Sequence, residues 1–525
     1  MRPTTASQRF DATKSLVGEK GHRLGHTPVG TVADVETDSP YEPWMTGSAK
    51  RVTDGILARL NSPEGLDAFT TQVRAIRGCR RPVRLSGRVV GIVEGGRPEI
   101  RFDTRALPDG VLLKACGSRR ETVCPPCASL YRGDAFALVA AGLRGGKGIP
   151  ESIGEHPAVL LTLTAPSFGA VHRKRPDGTC HPWGACCSHG RALMCSQRHN
   201  DNEDALGQAL CHDCYDYEAA VLFNAGASEL WRRTTIYAIR ALGSLLDLSA
   251  RAASRQLRLS YVKVAEFQRR GSVHFHALVR ADVRTDEHGD APSGIEADML
   301  ATALQIAARK VTAPLPGADG DQRMAWGNQI DTAMVNDAEN GRRRAAAYLA
   351  KYATKGSDEH GVLDHRLRTG VCRDERLPDH LRALVETAWS LGDDESFAAI
   401  RPQLWAHSCG FRGHFLTKSR RWSTTFGALR DERQQWRLVN GAGPLVDTNP
   451  SGDVAVDGKT DEVEVREWKY EGSGYLTTGD VCISRNLEED LRLARWLSRE
   501  DAEHRVQGEA PRSKTPVAIQ ESDLS

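Results

Sequence analysis

Apolar positions recur along this chain in two rhythms. Short apolar or alternating runs bounded by turn residues mark strands at 158–164 (AVLLTLT, stopped by Pro166), 258–268 (RLSYVKVAEFQ) and 273–279 (VHFHALV). Weaker runs place strands near 83–90 and 99–102, and Arg269-Arg270-Gly271-Ser272 predicts a hairpin between the second and third strong ones. The helical rhythm sets Leu66, Phe69 and Val73 on one face over 63–77, and helices are read over 128–143, 297–308, 342–355, 381–391 and 487–503. Residues 1–45 carry neither rhythm and are expected to be disordered; 441–460 is a Gly/Pro/Asp linker, and the last twenty residues form a tail. No run nears the ~18 apolar residues of a membrane span, and the start lacks an apolar leader. The expectation is a cytoplasmic protein with no membrane partner.

Composition refines this picture mainly through charge. The 525 residues carry a formal net charge of +2, with 40% hydrophobic and 26% charged residues, which suits a globular chain of several domains. Locally the balance breaks. Residues 251–280 hold seven basic side chains against Glu266, 342–355 hold five against none, and 401–440 hold eight against Asp431 and Glu432. Residues 451–525 reverse the sign, with 17 acids and 10 bases. Three basic islands suit phosphate binding, and the acidic end is read as solubilising. There is no G-x-x-x-x-G-K-[ST] run, so no built-in NTP-driven motor is expected.

The sharpest candidate chemistry is His274-Phe275-His276 on the third strand. Alternation puts both imidazoles on one face, and Glu266 on the partner strand, with Gln268 as the alternative, falls opposite them. Two histidines and a carboxylate with open positions suit a divalent ion such as Mg²⁺ or Mn²⁺ that polarises a phosphate oxygen. Downstream, Tyr348 and Tyr352 sit one turn apart on a helix, flanked by Lys351 and Lys355 and stopped by Gly356. A phenol needs a metal or a lysine to become a nucleophile, and both are at hand. Ala345, Tyr348, Leu349 and Tyr352 would equally make a core stripe. Arg342, Arg343 and Arg344 at the start of that helix, and Arg269 and Arg270 in the hairpin, are read as DNA contacts. Segment 410–430 interleaves Phe411, Phe415, Trp422 and Phe426 with Arg412, Lys418, Arg420 and Arg421, which fits base stacking or, with equal weight, an ordinary core.

Nine of the 13 cysteines lie between Cys116 and Cys214, which in a chain without a leader reads as zinc rather than disulfides. Cys195, His199, Cys211 and Cys214 make one structural zinc site. Cys116, Cys124 and Cys127 need a fourth ligand from Cys180, His181, Cys186, Cys187 or His189, or the two C-x-x-C pairs share one ion. Cys79, Cys372, Cys409 and Cys482 are read as buried apolar residues.

Taken together, H-F-H followed by the tyrosine helix resembles the HUH superfamily of single-strand DNA nickases. The strings LTLTAP, EFQRRGSVHFHALVR, AAAYLAKYATKG, CYDYEAAVLFNAGASELWRR and GFRGHFLTKSRRWSTTFGALR resemble the RepSA-like rolling-circle initiators of actinobacterial plasmids and integrative elements, from about Cys79 to Trp496. The resemblance implies metal on His274, His276 and Glu266, Tyr352 as nicking tyrosine and a 5′-phosphotyrosine intermediate. Many plasmid initiators carry glutamate at the Tyr348 position; here Tyr348 is either a second nucleophile, as in two-tyrosine phage initiators, or a structural relic. The fold expected is α+β: an antiparallel HUH (RRM-like) sheet with flanking helices, a zinc region and a basic C-terminal part. Domain bounds are read as 46–157 (N-terminal, with the first cysteines), 158–370 (nickase, with a Cys-rich insertion at 180–214), 371–440 (basic, helical) and 441–505 (acidic). Expected partners are single-stranded and duplex origin DNA, a host helicase and a DNA polymerase. The rival readings are a zinc-bearing DNA-binding repressor and a metal-dependent phosphodiesterase in which water attacks.

Overall fold

Alternation along Leu257–Phe267 and Val273–Val283 makes them an antiparallel hairpin, in which Glu266 pairs with His274 and Val264 with His276. The turn between them needs Gly271 at φ 72°, where a side chain would be strained and would strike Leu384 and Leu381. In the computed structural model, which describes residues 49–506 except 62, 94–96, 202, 286–287, 318–321, 336–338, 356–362, 364–365, 368–376 and 440–461, this hairpin is the centre of a five-stranded sheet. Its strand order is Ile330–Met334, Ala158–Leu163, Val273–Val283, Leu257–Phe267, Leu416–Lys418, and every neighbouring pair is antiparallel.

Both faces of this sheet are covered, which explains why its central strands are almost wholly buried. Phe275, Ala265 and Phe267 face a large core with Phe223 and Trp231 of the helix Tyr217–Leu245, together with the helices Ala297–Lys310 and Asp379–Ser390. Val262, Val264 and Leu278 face the other way, onto Leu138 of the helix Pro125–Arg144 and Ala346, Leu349 and Ala350 of the helix Glu339–Lys355. Glu266, His274 and His276 share this second face by parity, at the end where the apolar rows stop. The 29-residue helix Tyr217–Leu245 gave no amphipathic signal in the sequence because it is buried on several sides. Asp216 caps it by accepting the Ala219 N–H at 2.9 Å.

A second sheet joins distant parts of the chain. Val83–Val93 pairs antiparallel with Glu99–Asp103, with Leu112–Lys114 and with Glu462–Ser473. The acidic C-terminal stretch thus meets arginines of the N-terminal segment directly. Arg59 binds Asp480, Arg80 binds Glu488 and Arg88 binds Glu467, each at 2.8 Å. The aromatic segment 410–430 takes the core alternative: Phe411 and Trp422 are buried, Phe415 packs on the large core, and Phe426 stacks on Tyr131. Those rings are not offered to bases. The predicted linker 441–460, the N-terminal residues 1–45 and the tail lie outside the described residues, as does Cys372. No helix among the described residues is long and apolar enough to cross a membrane.

Candidate metal and tyrosine centre

The hairpin register brings Glu266 Oε2 to 3.0 Å from His274 Nε2 and 3.2 Å from His276 Nε2. Burial works to raise the Glu266 carboxyl, but the hydrogen bonds and charge of the two imidazoles outweigh it and hold the group ionised, at about 2. Burial also pushes the His276 imidazole below its ordinary value, so its neutral form is favoured. A carboxylate and two imidazoles whose ligand atoms lie within 4.8 Å of one another form a donor set for one divalent cation. The strand Ala158–Leu163 adds a residue that no motif marks. Thr162 pairs with His276 in the sheet, and its hydroxyl lies 3.1 Å from His276 Nδ1. A hydroxyl both donates and accepts, so Thr162 follows His276 into the Nδ1–H tautomer that leaves Nε2 free for a cation. Gln268, the alternative ligand, instead accepts from Arg270 at 2.9 Å.

The helix Glu339–Lys355 buries Ala346, Leu349, Ala350 and Ala353 and turns its two tyrosines toward this set. The Tyr352 ring lies 4.7 Å from that of His276, and Tyr348 and Tyr352 are 4.7 Å apart. Tyr348 stands 37% exposed, so the helix does not use it as core. Burial, the neighbouring Tyr352 hydroxyl and the Glu266 charge push the Tyr348 phenol above its ordinary value. Lys351 is exposed beside them, and the Lys355 side chain lies outside the described residues.

Three further donor sets have four members each. Cys79 joins Cys116, Cys124 and Cys127; His172 and Cys180 join Cys195 and His199; Cys187 and His189 join Cys211 and Cys214. The expected Cys195–His199–Cys211–Cys214 site is therefore divided between two clusters, because the ribbon Thr179–His181/Cys195–Arg198 carries the first pair away from the C-H-D-C turn. Cys79 completes the first donor set, although it stands 37 residues from Cys116 with no C-x-x-C spacing to mark it. Cys409 is buried, as expected of an apolar cysteine.

The donor spacings are those of a tetrahedron around a small ion. A tetrahedral Zn–S bond of ~2.3 Å implies S···S edges of about 3.8 Å. The pairs Cys116–Cys127 and Cys187–Cys211 stand at 3.7 Å and Cys79–Cys124 at 3.8 Å. The shorter His172–His199 distance, 3.3 Å, is that of two nitrogen ligands. His199 Nδ1 lies 2.6 Å from Glu203 Oε2, the outer carboxylate that commonly orients a metal-ligating imidazole.

Against known proteins, residues 65–489 match the family described as RepSA, replication initiator protein of pSAM2. The chain belongs to the RepSA family. It is 36% identical over 460 residues to a replication initiator protein of Streptomyces ambofaciens, covering 85% of this chain and 95% of that one. No solved structure matches it.

Within this RepSA chain, several arginines read as DNA contacts have other work. Arg342 is buried, and its guanidinium donates to the Leu143 and His156 carbonyls. Arg270 donates to the Ala165 and Pro166 carbonyls, at 2.8 and 2.6 Å, and Arg269 donates to those of Asp201 and Glu203. These three satisfy carbonyls at a helix end and in irregular segments that would otherwise be left unpaired. Lys418 donates to the Ser423 carbonyl at 2.9 Å. Arg343, Arg344 and Arg420 are exposed, and Arg421 is half-buried.

Proposed function

We propose that this protein initiates rolling-circle replication by nicking and rejoining one strand of origin DNA as an HUH-type endonuclease. The observation that carries the reading is the convergence of Glu266, His274 and His276 with the Tyr352 ring from a separate helix. The initiator family agrees with the role. Mg²⁺ or Mn²⁺ held by the three ligands would polarise the scissile phosphate and neutralise the charge that develops on it. Tyr352 Oη loses its proton and bonds to phosphorus while the P–O3′ bond breaks. The departing 3′ oxygen takes a proton and becomes the primer hydroxyl. Phosphodiester energy is retained in the tyrosyl ester, so rejoining needs no NTP. Thr162 orients the His276 imidazole, and Tyr348 stands ready for a second transfer. Exposed Lys351, Arg343, Arg344 and Arg420 guide the strand. Zinc in the three tetrads is structural, since four protein ligands leave no open position.

The test incubates full-length protein with Mn²⁺ and single-stranded DNA tiled from the element's own origin region. Denaturing gels followed by peptide mapping should find a DNA adduct on Tyr352 that is lost in Tyr352→Phe and in His274→Ala. Cleavage without an adduct would favour attack by water. Duplex binding with neither would leave a repressor.

A further inference from the structure

Trp183 is 85% exposed, an extreme for so large an apolar side chain, and the backbone that carries it is held on both sides. Thr179–His181 pairs with Cys195–Arg198, Cys186 bridges to Ala192, and the Leu193 N–H donates to the Ala185 carbonyl at 3.0 Å. Residues 179–198 are therefore a two-stranded ribbon. Cys180 and Cys195 anchor its root in one tetrad, and Cys187 fixes its outer strand in another. Burying a large apolar side chain is worth ~1.5–3 kcal/mol, and this ribbon forgoes that gain. Met194 on the opposite strand is 46% exposed as well.

Charge says what the ribbon is built to meet. Residues 171–201 hold five Arg or Lys against Asp177 and Asp201. Lys174 is taken up by Asp201 at 2.8 Å, whereas Arg173 and Arg191 are exposed and have no ion partner among the described residues. A divalent ion leaves the two-cysteine tetrad neutral and the three-cysteine tetrad at one negative charge, so the ribbon stays net positive. An aromatic platform among unpaired cations is the arrangement that holds single-stranded nucleic acid.

The segment that follows the ribbon is tied to the hairpin that carries Glu266. Arg269, in the turn after Glu266, donates to the carbonyls of Asp201 and Glu203, and Gly207 at φ 87° lies so close to Arg269 that a Cβ would overlap its backbone. Nucleic acid bound along the ribbon is thereby fixed relative to the metal and tyrosine centre.

We infer that the metal-held ribbon is a single-stranded DNA contact on which Trp183 stacks an unpaired base, with Arg173 and Arg191 on the neighbouring phosphates. The inference rests on the nickase reading for its partner, and its test is separable from it. Fluorescence anisotropy of the full-length protein is measured with a fluorescein-labelled 30-nucleotide oligo-dT, a 30-base-pair duplex and fluorescein-labelled poly-glutamate. Stacking on an aromatic is worth ~1–3 kcal/mol per base, so Trp183→Ala should weaken oligo-dT binding about tenfold while duplex binding changes little. Trp183→Phe should restore most of the loss, and Arg191→Ala should reduce the slope of log K against log salt by about 0.7. Metal content equal to wild type shows that the ribbon is intact. Unchanged oligo-dT affinity in Trp183→Ala, or tryptophan-dependent binding of poly-glutamate in place of DNA, overturns the inference. The oligo-dT titration is run without divalent cation and reads binding alone, so a failed nickase and a failed ribbon give different results.

Discussion

Replacing Cys79 separates two incompatible accounts of one residue. As an apolar filler, Cys79 sits fully buried among Phe69, Val73 and Leu113, and Cys79→Ala would remove a single atom at a cost of about 1 kcal/mol. As a metal ligand it is one corner of a tetrahedron, 3.8 Å from Cys124 Sγ, and it accepts the Cys116 N–H at 3.2 Å as a thiolate would. Binding of structural zinc is worth ~10–16 kcal/mol, and in such a site much of that is folding energy. Losing one of four donors should forfeit several kcal/mol, which for a lobe of this size lowers its melting temperature by roughly 10 °C or more. The assay is zinc per chain by mass spectrometry after a brief EDTA challenge, paired with hydrogen exchange over 65–130. Wild type should hold three zinc ions, one for each tetrad, and Cys79→Ala two, with exchange rising around Cys116–Cys127 and not at the other tetrads. Three retained zincs with a melting shift of only a few degrees would refute the ligand assignment.

Other outcomes follow from the same geometry. Thr162→Val leaves His276 Nδ1–H without an acceptor, so Mn²⁺ affinity by calorimetry should fall about 10–100-fold, with recovery in Thr162→Ser; an unchanged affinity removes Thr162 from the site. Tyr348→Phe should keep the Tyr352 adduct and lower strand joining in a two-oligonucleotide transfer assay; loss of the adduct itself would exchange the roles. Lys263 is buried under the sheet with its Nζ 3.9 Å from the Phe275 ring, and burial depresses its pKa from 10.5 to about 7 despite that ring. Between those values the unfolded chain holds a proton that the folded one does not, so stability rises with pH from about 7 to 10.5. Lys263→Met should flatten that slope and stabilise the protein near neutrality by a few kcal/mol; destabilisation at pH 7 would count against the buried neutral amine.

The sequence by itself fixed what is local. Alternation decided that His274 and His276 share a face, because a strand's side-chain period is two, and the five residues 268–272 between the strands set the register that stands Glu266 opposite His274. Spacing on a helix set Tyr348 and Tyr352 one turn apart, and the helices over 297–308 and 381–391 were legible from their stripes. What the sequence left open was settled by partners far along the chain. Whether the tyrosine helix faced the histidines or only the core depended on Leu349 and Ala350 docking on Val264 and Leu278. The cysteine and histidine donor sets could not be paired by spacing, since Cys79 and His172 lie outside any C-x-x-C and join their sets only through the fold. Arginines look alike in a sequence, yet Arg342 and Arg270 are held on carbonyls inside while Arg343 and Arg344 reach water. The strand Glu462–Ser473 was invisible as a partner of Val83–Val93 because its polar residues answer to charges that only the fold brings near. Local periodicity follows from backbone geometry, whereas ligand sets, burial and charge pairing are properties of contacts between distant segments, and the tertiary structure alone decides those.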